Sequence, residues 1–256
     1  MRKKSLLVLL FCWSTLIGFD FGSFVKETFE STSESNGVKS SKNSLSSSTI
    51  SDGLKEALSI GAKYAVDELG KEGGYLNNAS VKIPLPENLA KAEDIIRGFG
   101  GDKVVDDFIE SMNSAATDAA PKTIDIFLDA IKSMTLVDAK NILAGDEDAA
   151  TDYFKTNTSN SLTKMILPIV QKTMQTNGVT KYYDSANSFY KSDIKSRAVE
   201  FGIGSFLPQE SEENLDEYVT QKAIDGLFKM IAKKESEIRK DPVAQTTSLL
   251  REVFGL

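Results

Sequence analysis

Asp146, Glu147, Asp148 and Asp152 crowd about one helical turn just after Gly145. Carboxylates around a glycine turn are the oxygen-rich donor set that a hard cation such as calcium takes, and Asp146, Asp148 and Asp152 are the candidate metal ligands. The spacing is not that of an EF-hand, which needs a 12-residue loop with Gly at the sixth position and Glu at the twelfth. Acidic residues also gather in a helix's first turn because the dipole and the free N–H groups favour them, and this is the stronger reading. A second set, Glu110, Asp118, Asp125 and Asp129, falls on adjoining helical segments. Asp125 and Asp129 are four apart, so they share a helix face, and such proximity can raise one pKa. Paired carboxylates support hydrolysis without histidine, although a solvated acidic face is commoner.

Histidine is absent, and Cys12 is the only cysteine. That excludes Ser-His and Cys-His nucleophiles, the HExxH zinc helix and the CxxC pair. Phe201-Gly-Ile-Gly-Ser-Phe206 is a Gly-rich apolar loop without the Lys of a phosphate-binding loop, and no cofactor is expected. The candidate pocket residues are Asn113, Tyr153, Phe154, Tyr183, Phe189 and Arg239. Asn113 stands in an apolar stripe beside Ser114, Ala115 and Ala116, where a buried amide needs partners. The aromatics suit the wall of an apolar cavity, though at helical spacing aromatic residues are more often ordinary core. Arg239 can grip an anionic ligand; pairing with a carboxylate or capping helix carbonyls is the commoner use.

The N-terminus carries an address. Arg2, Lys3 and Lys4 precede a mostly apolar stretch from Ser5 to Ile17, and Gly18 offers a small residue for cleavage. This is the layout of a secretory signal peptide over residues 1–18, and the stretch falls short of the roughly 18 residues of a spanning helix. The expected compartment is the periplasm, with an uncleaved N-terminal anchor as the alternative. Phe11 before Cys12 is too large for lipoprotein processing, so Cys12 reads as part of the signal core. Cleavage removes three basic residues and shifts the net charge from −7 to −10. Nucleic acid and anionic membranes, which need a basic face, are not the expected partners.

A serine-rich stretch completes residues 19–51, which read as a flexible tether too poor in apolar groups to offset its ordering entropy. From residue 52 to 256 helical periodicity dominates. Asp52 is the expected cap of a helix with Leu58, Ala62, Val66 and Leu69 on one stripe. Residues 75–86 are the exception: Ile83-Pro84-Leu85-Pro86 must be extended, and Asn77-Asn78 suggests a hairpin-like turn. Pro121 either kinks a helix or starts one. Tyr153 and Phe154 belong to one helix, and Leu162, Met165, Ile166 and Met174 to the next, bent at Pro168. A long helix from Leu215 to Lys240 has acids at its start and bases at its end, as the dipole prefers. The fold class is all-α, a single bundle of roughly eight to ten helices.

Several blocks in order resemble one bacterial family. They include Leu54-Lys-Glu-Ala-Leu58, Gly74-Tyr75, Ile83-Pro-Leu-Pro86, Met112-Asn113 with Ala115-Ala116, and Ala119-Ala-Pro121. Ala130-Ile-Lys-Ser-Met134, Ile142-Leu-Ala-Gly145, Ala149-Ala-Thr151, Tyr153-Phe154, Tyr218-Val-Thr220, Asp225-Gly-Leu-Phe228, Ile238-Arg239 and Thr247 to Gly255 follow. This is similar to the family catalogued as domain of unknown function 4197, over nearly all of residues 52–255. The resemblance implies an exported, largely helical protein and no activity.

The expected function is therefore binding, of an apolar small molecule or an envelope protein. A carboxylate-dependent hydrolase is the alternative, and a structural envelope protein the second. No integral membrane span is expected after signal cleavage, and oligomeric state is open.

Overall fold

The computed structural model describes residues 45–137, 139–200 and 214–255. The expected signal segment, the tether as far as residue 44 and the loop from Phe201 to Phe206 lie outside the described residues. Among the described residues there are helices and turns and no strand, as the all-α reading requires. None of these helices is long and apolar enough to cross a membrane.

Helix α1 (Ser47–Leu69) opens inside the serine-rich stretch, not at Asp52. The Ser46 hydroxyl accepts the Thr49 N–H at 3.0 Å, and Ile50 already faces the core. Serine favours this position because its oxygen satisfies a helix-end donor, so its abundance here partly marks a start and not a tether. Buried Leu54, Leu58, Ala62, Ala65 and Leu69 continue the stripe. Gly53 and Gly61 on α1 are contact points: an added methyl at Gly53 would come within 2.6 Å of Val253, and at Gly61 within 3.0 Å of Ile231.

A turn region follows α1, with Gly73 at φ +72°, a conformation that side-chain-bearing residues rarely adopt. Residues 82–86 are irregular chain, in neither helix nor strand. The extended reading of the two prolines suits the backbone, with Pro86 at ψ 151°, but the hairpin does not form. Its place is taken by successive turns, such as Val81 N–H to the Asn78 carbonyl. Prolines remove the donors a ladder would need, and the chain finds a side-chain partner instead.

Short helices α2 (Glu87–Ala90) and α3 (Glu93–Gly98) lead to α4 (Asp102–Ala119). Pro121 neither kinks α4 nor starts an α-helix; it sits in a 3₁₀ turn, Ala120–Thr123, that joins α4 to α5 (Ile124–Ser133). After α6 (Ala139–Ala144) comes α7 (Ala149–Thr176), a single helix where two were expected. The Asn157–Thr163 region has poor helix formers, yet its side chains bond back to the preceding turn. Asn157 donates to the Tyr153 carbonyl, Thr158 to Phe154, Ser159 to Lys155 and Thr163 to Ser159. With those polar groups satisfied and Phe154, Leu162 and Ile166 buried, packing overrides propensity.

Helix α8 (Val179–Phe189) runs through a π-helical turn, Tyr190–Lys195, into α9 (Ser196–Glu200). Helix α10 (Leu215–Lys240) and α11 (Ser248–Phe254) complete the chain. The bundle centres on α10, which packs along α1 and α7, while α4 packs on α7 and α8. Phe127, Phe154 and Phe228, from α5, α7 and α10, meet edge-to-face with ring centroids 5.6–6.1 Å apart.

Tyr75 is fully buried and donates to the Ala223 carbonyl at 2.7 Å; burial pushes its phenol well above the ordinary tyrosine range, which keeps it a donor. Its ring lies over Gly226, where an added methyl would stand 2.7 Å from a ring carbon. Gly226→Ala is expected to cost about 1–3 kcal/mol, because a ring pinned through its hydroxyl cannot swing away. Chemical denaturation checks this; an unchanged midpoint would mean the ring is free to move.

Candidate functional site

The sequence-predicted pocket residues do not converge. Phe154 is part of the aromatic core, with no exposed surface. Tyr183 is half-buried and tilts against Phe108 at 5.6 Å between centroids. Phe189 is half-buried, its ring close enough to Gly101 that a methyl there would meet it at 2.8 Å. Both serve the packing of α8 on α4. Asn113, Tyr153 and Arg239 lie in three different places.

Asn113 is fully buried on α4. Its carbonyl accepts the Ile83 N–H at 2.8 Å, and its amide donates to the Ile83 carbonyl at 2.9 Å and to the Ile109 carbonyl at 2.8 Å. The side chain pairs with the backbone of Ile83 as a neighbouring strand would. That explains how the proline-flanked segment is held without a ladder. All three bonds are internal, so the amide has little left for a ligand.

Arg239 answers to an acid that the sequence reading passed over. Glu235, one turn earlier on α10, is completely buried, and Arg239 donates to it at 2.8 Å. Glu235 also accepts the N–H groups of Ala150 and Thr151 at 3.0 and 2.7 Å and the Thr151 hydroxyl at 2.6 Å. Arg239 donates in addition to the carbonyls of Leu143 and Ile142, at 2.8 and 3.1 Å, and lies over the Phe254 ring. One ion pair thus caps two helices at once: the acid meets the free donors at the start of α7, the base the free acceptors at the end of α6. The signal was present in the sequence, because Glu235 sits four after Ile231 and three before Ile238, on the apolar stripe of α10.

This pair also bears on the acidic cluster. Asp148 stands at the N-cap of α7 without a side-chain cap bond, since Glu235 supplies the anion from another helix. Asp146 and Asp152 are exposed, and Glu147 instead meets Ser236 at 2.8 Å and Lys240. The basic group and the serine hold the Glu147 carboxyl below its usual range. Among the described residues no three acidic side chains come together in a way that would hold a metal ion.

Three clefts among the described residues have the size of small-molecule sites, and the third of them, of about 690 Å³, is lined by Asp146, Glu147 and Asp148 together with Lys229 and Lys233. The first, of about 430 Å³, lies between the end of α5 and the outer face of α7. Met134, Leu162, Met165 and Tyr153 give it apolar walls; Ser133, Thr135, Asn157, Thr158 and Ser161 give it polar edges. Tyr153 donates to the Thr135 carbonyl at 2.8 Å, which fixes the ring, and Met165 is half-exposed. Of the predicted pocket residues, Tyr153 belongs here, and of the carboxylate set, Asp129. The second cleft, of about 500 Å³, lies between α4 and the turn region after α1, and Glu110, Asn113 and Asp118 line it. Asp125, the helix-face companion of Asp129, lines neither.

No curated protein and no solved structure matches the chain. One family model does match, over residues 44–255, and its start falls within three residues of the observed start of α1. The chain therefore belongs to the family described as "Protein of unknown function (DUF4197)".

Proposed function

We propose that the protein is a non-enzymatic binding module of the bacterial envelope, and that the cleft between α5 and α7 takes a small molecule with an apolar body and a few hydrogen-bonding groups. The observation that carries this reading is the composition of that cleft. Thioether and aliphatic side chains (Met134, Leu162, Met165) form its walls, a pinned tyrosine closes one side, and hydroxyl and amide groups ring it. Apolar walls supply affinity and a few placed polar groups supply orientation. Methionines suit such a wall because their flexible thioethers adapt to ligand shape. Export rests on the charged and apolar pattern of residues 1–18.

The hydrolase alternative finds less support. Of the candidate carboxylates, Glu110 and Asp118 share a cleft, but residues eight apart on a helix rise about 12 Å along its axis. Only one acid, Asp129, lines the apolar cleft.

Native mass spectrometry of the protein purified from its own envelope is the test. The expected result is a co-purifying molecule that is lost, by tenfold or more in occupancy, in Met165→Glu. Met165 is half-exposed, so this variant folds while placing a charge on the apolar wall. Repeated absence of any bound molecule from the unaltered protein would sink the proposal, as would equal occupancy in the variant.

A further inference from the structure

Most polar side chains around the cleft between α5 and α7 have already committed a proton to the backbone. Ser133 donates to the Asp129 carbonyl, Tyr153 to that of Thr135 and Thr158 to that of Phe154. Asn157 commits one amide hydrogen to the Tyr153 carbonyl. A hydroxyl that has donated retains lone pairs, and the Asn157 side-chain oxygen stays an acceptor. Among the lining side chains, the hydroxyls of Thr135 and Ser161 and the second Asn157 amide hydrogen are the uncommitted donors. Asp129 adds the one formal charge, a carboxylate that can only accept when ionised. No lysine or arginine lines the cleft; Lys132 and Lys164, next in sequence to lining residues, are exposed and do not line it. The rim is therefore rich in acceptors and poor in donors, and it carries a negative charge beside apolar walls.

Resting on the small-molecule reading of this cleft, we propose that its ligand is a protonated aliphatic amine, a single ammonium group on an apolar chain. An ammonium has donors and no acceptor, which is the complement of this rim. Asp129 supplies the opposite charge, and the Tyr153 ring, which lines the same cleft, favours a cation at its face. Met134, Leu162 and Met165 give the chain its apolar contact. A fatty acid has the reverse complement. Its carboxylate would need donors that are mostly spent, and it would share the cleft with Asp129 without a lining base to offset the repulsion.

Isothermal titration calorimetry of the full chain with octylammonium, octanol and octanoate, each below its micelle concentration, tests the proposal. Octylammonium is expected to bind at one saturable site, at least tenfold tighter than octanoate. Asp129→Asn should weaken octylammonium about fivefold and leave octanol within twofold. Asp129 is exposed, so this change does not threaten the fold. Asp125→Asn, exposed one turn earlier on α5 and not lining the cleft, is the charge control and should leave the affinity unchanged. Met165→Glu and Met165→Lys both remove an apolar contact, but only the lysine repels an ammonium, so it should weaken octylammonium more, with the order reversed for octanoate. Octanol or octanoate binding as tightly as octylammonium, or equal effects of Asp129→Asn and Asp125→Asn, would overturn the amine and leave the apolar cleft standing. No saturable binding of any of the three would overturn both.

Discussion

Glu235→Ala is expected to lower the melting temperature by on the order of 10 °C, the larger of the two strongest effects anticipated here. Glu235 has no exposed surface, and its carboxylate meets two backbone N–H groups, a hydroxyl and a guanidinium. Removing it strands Arg239, whose side chain is only 10% exposed, and frees the first donors of α7 inside the bundle. Breaking a buried pair by deleting one partner costs about 3–5 kcal/mol, because the remaining charge loses its compensation. In a domain of this size each kcal/mol moves the midpoint by about 2–4 °C. The double variant Glu235→Leu/Arg239→Met separates charge from capping. Replacing the whole pair with apolar groups removes the stranded charge, yet the Ala150 and Thr151 N–H groups remain unpaired. A partial recovery in calorimetry is therefore expected; full recovery would show that the caps contribute nothing, and a midpoint within 2 °C of the parent in Glu235→Ala would refute the tie itself.

Asn113→Ala comes next, with an expected loss of about 3 kcal/mol. The amide gives Ile83 both an acceptor and a donor, and no strand stands ready to replace them. The Ile109 carbonyl loses a bond as well. A buried donor or acceptor left without a partner costs roughly 1–3 kcal/mol, so two orphaned groups on Ile83 account for the estimate. Hydrogen exchange reports on the same contact: the Ile83 amide should be protected in the parent and exchange much faster in the variant. Asn113→Asp is expected to be at least as damaging, since a carboxylate would face the Ile83 and Ile109 carbonyls with no proton to offer. Unchanged exchange at Ile83 would mean that the proline-flanked segment is held by packing alone.

These two residues show how far the sequence carries. Asn113 was legible as an oddity, a polar side chain in an apolar stripe. Its partner, 30 positions earlier, was not, because local periodicity carries no information about which segments meet. Arg239 was legible as a cap or an ion-pair member. Glu235 stood on the same stripe at the spacing of a helical pair and was hidden by the rule that acids face water. The carboxylates of the polar cleft divide likewise. Glu110 and Asp118 were candidates because helical spacing is local, whereas Glu72 joins them only after the turn region folds back on α4.

The chain by itself determined that the protein is helical, where most stripes turn inward, and that histidine and cysteine-pair chemistry is out of reach. Those properties follow from composition and from a 3.6-residue period, both readable within a few turns. Only the tertiary structure decided that one helix replaces two across residues 149–176, that the serine stretch ends in a capped helix, and which acids share a cavity. The reason is physical: propensity amounts to tenths of a kcal/mol per residue, while a buried side chain or a satisfied helix end amounts to several times that, so contacts distant in sequence have the final say.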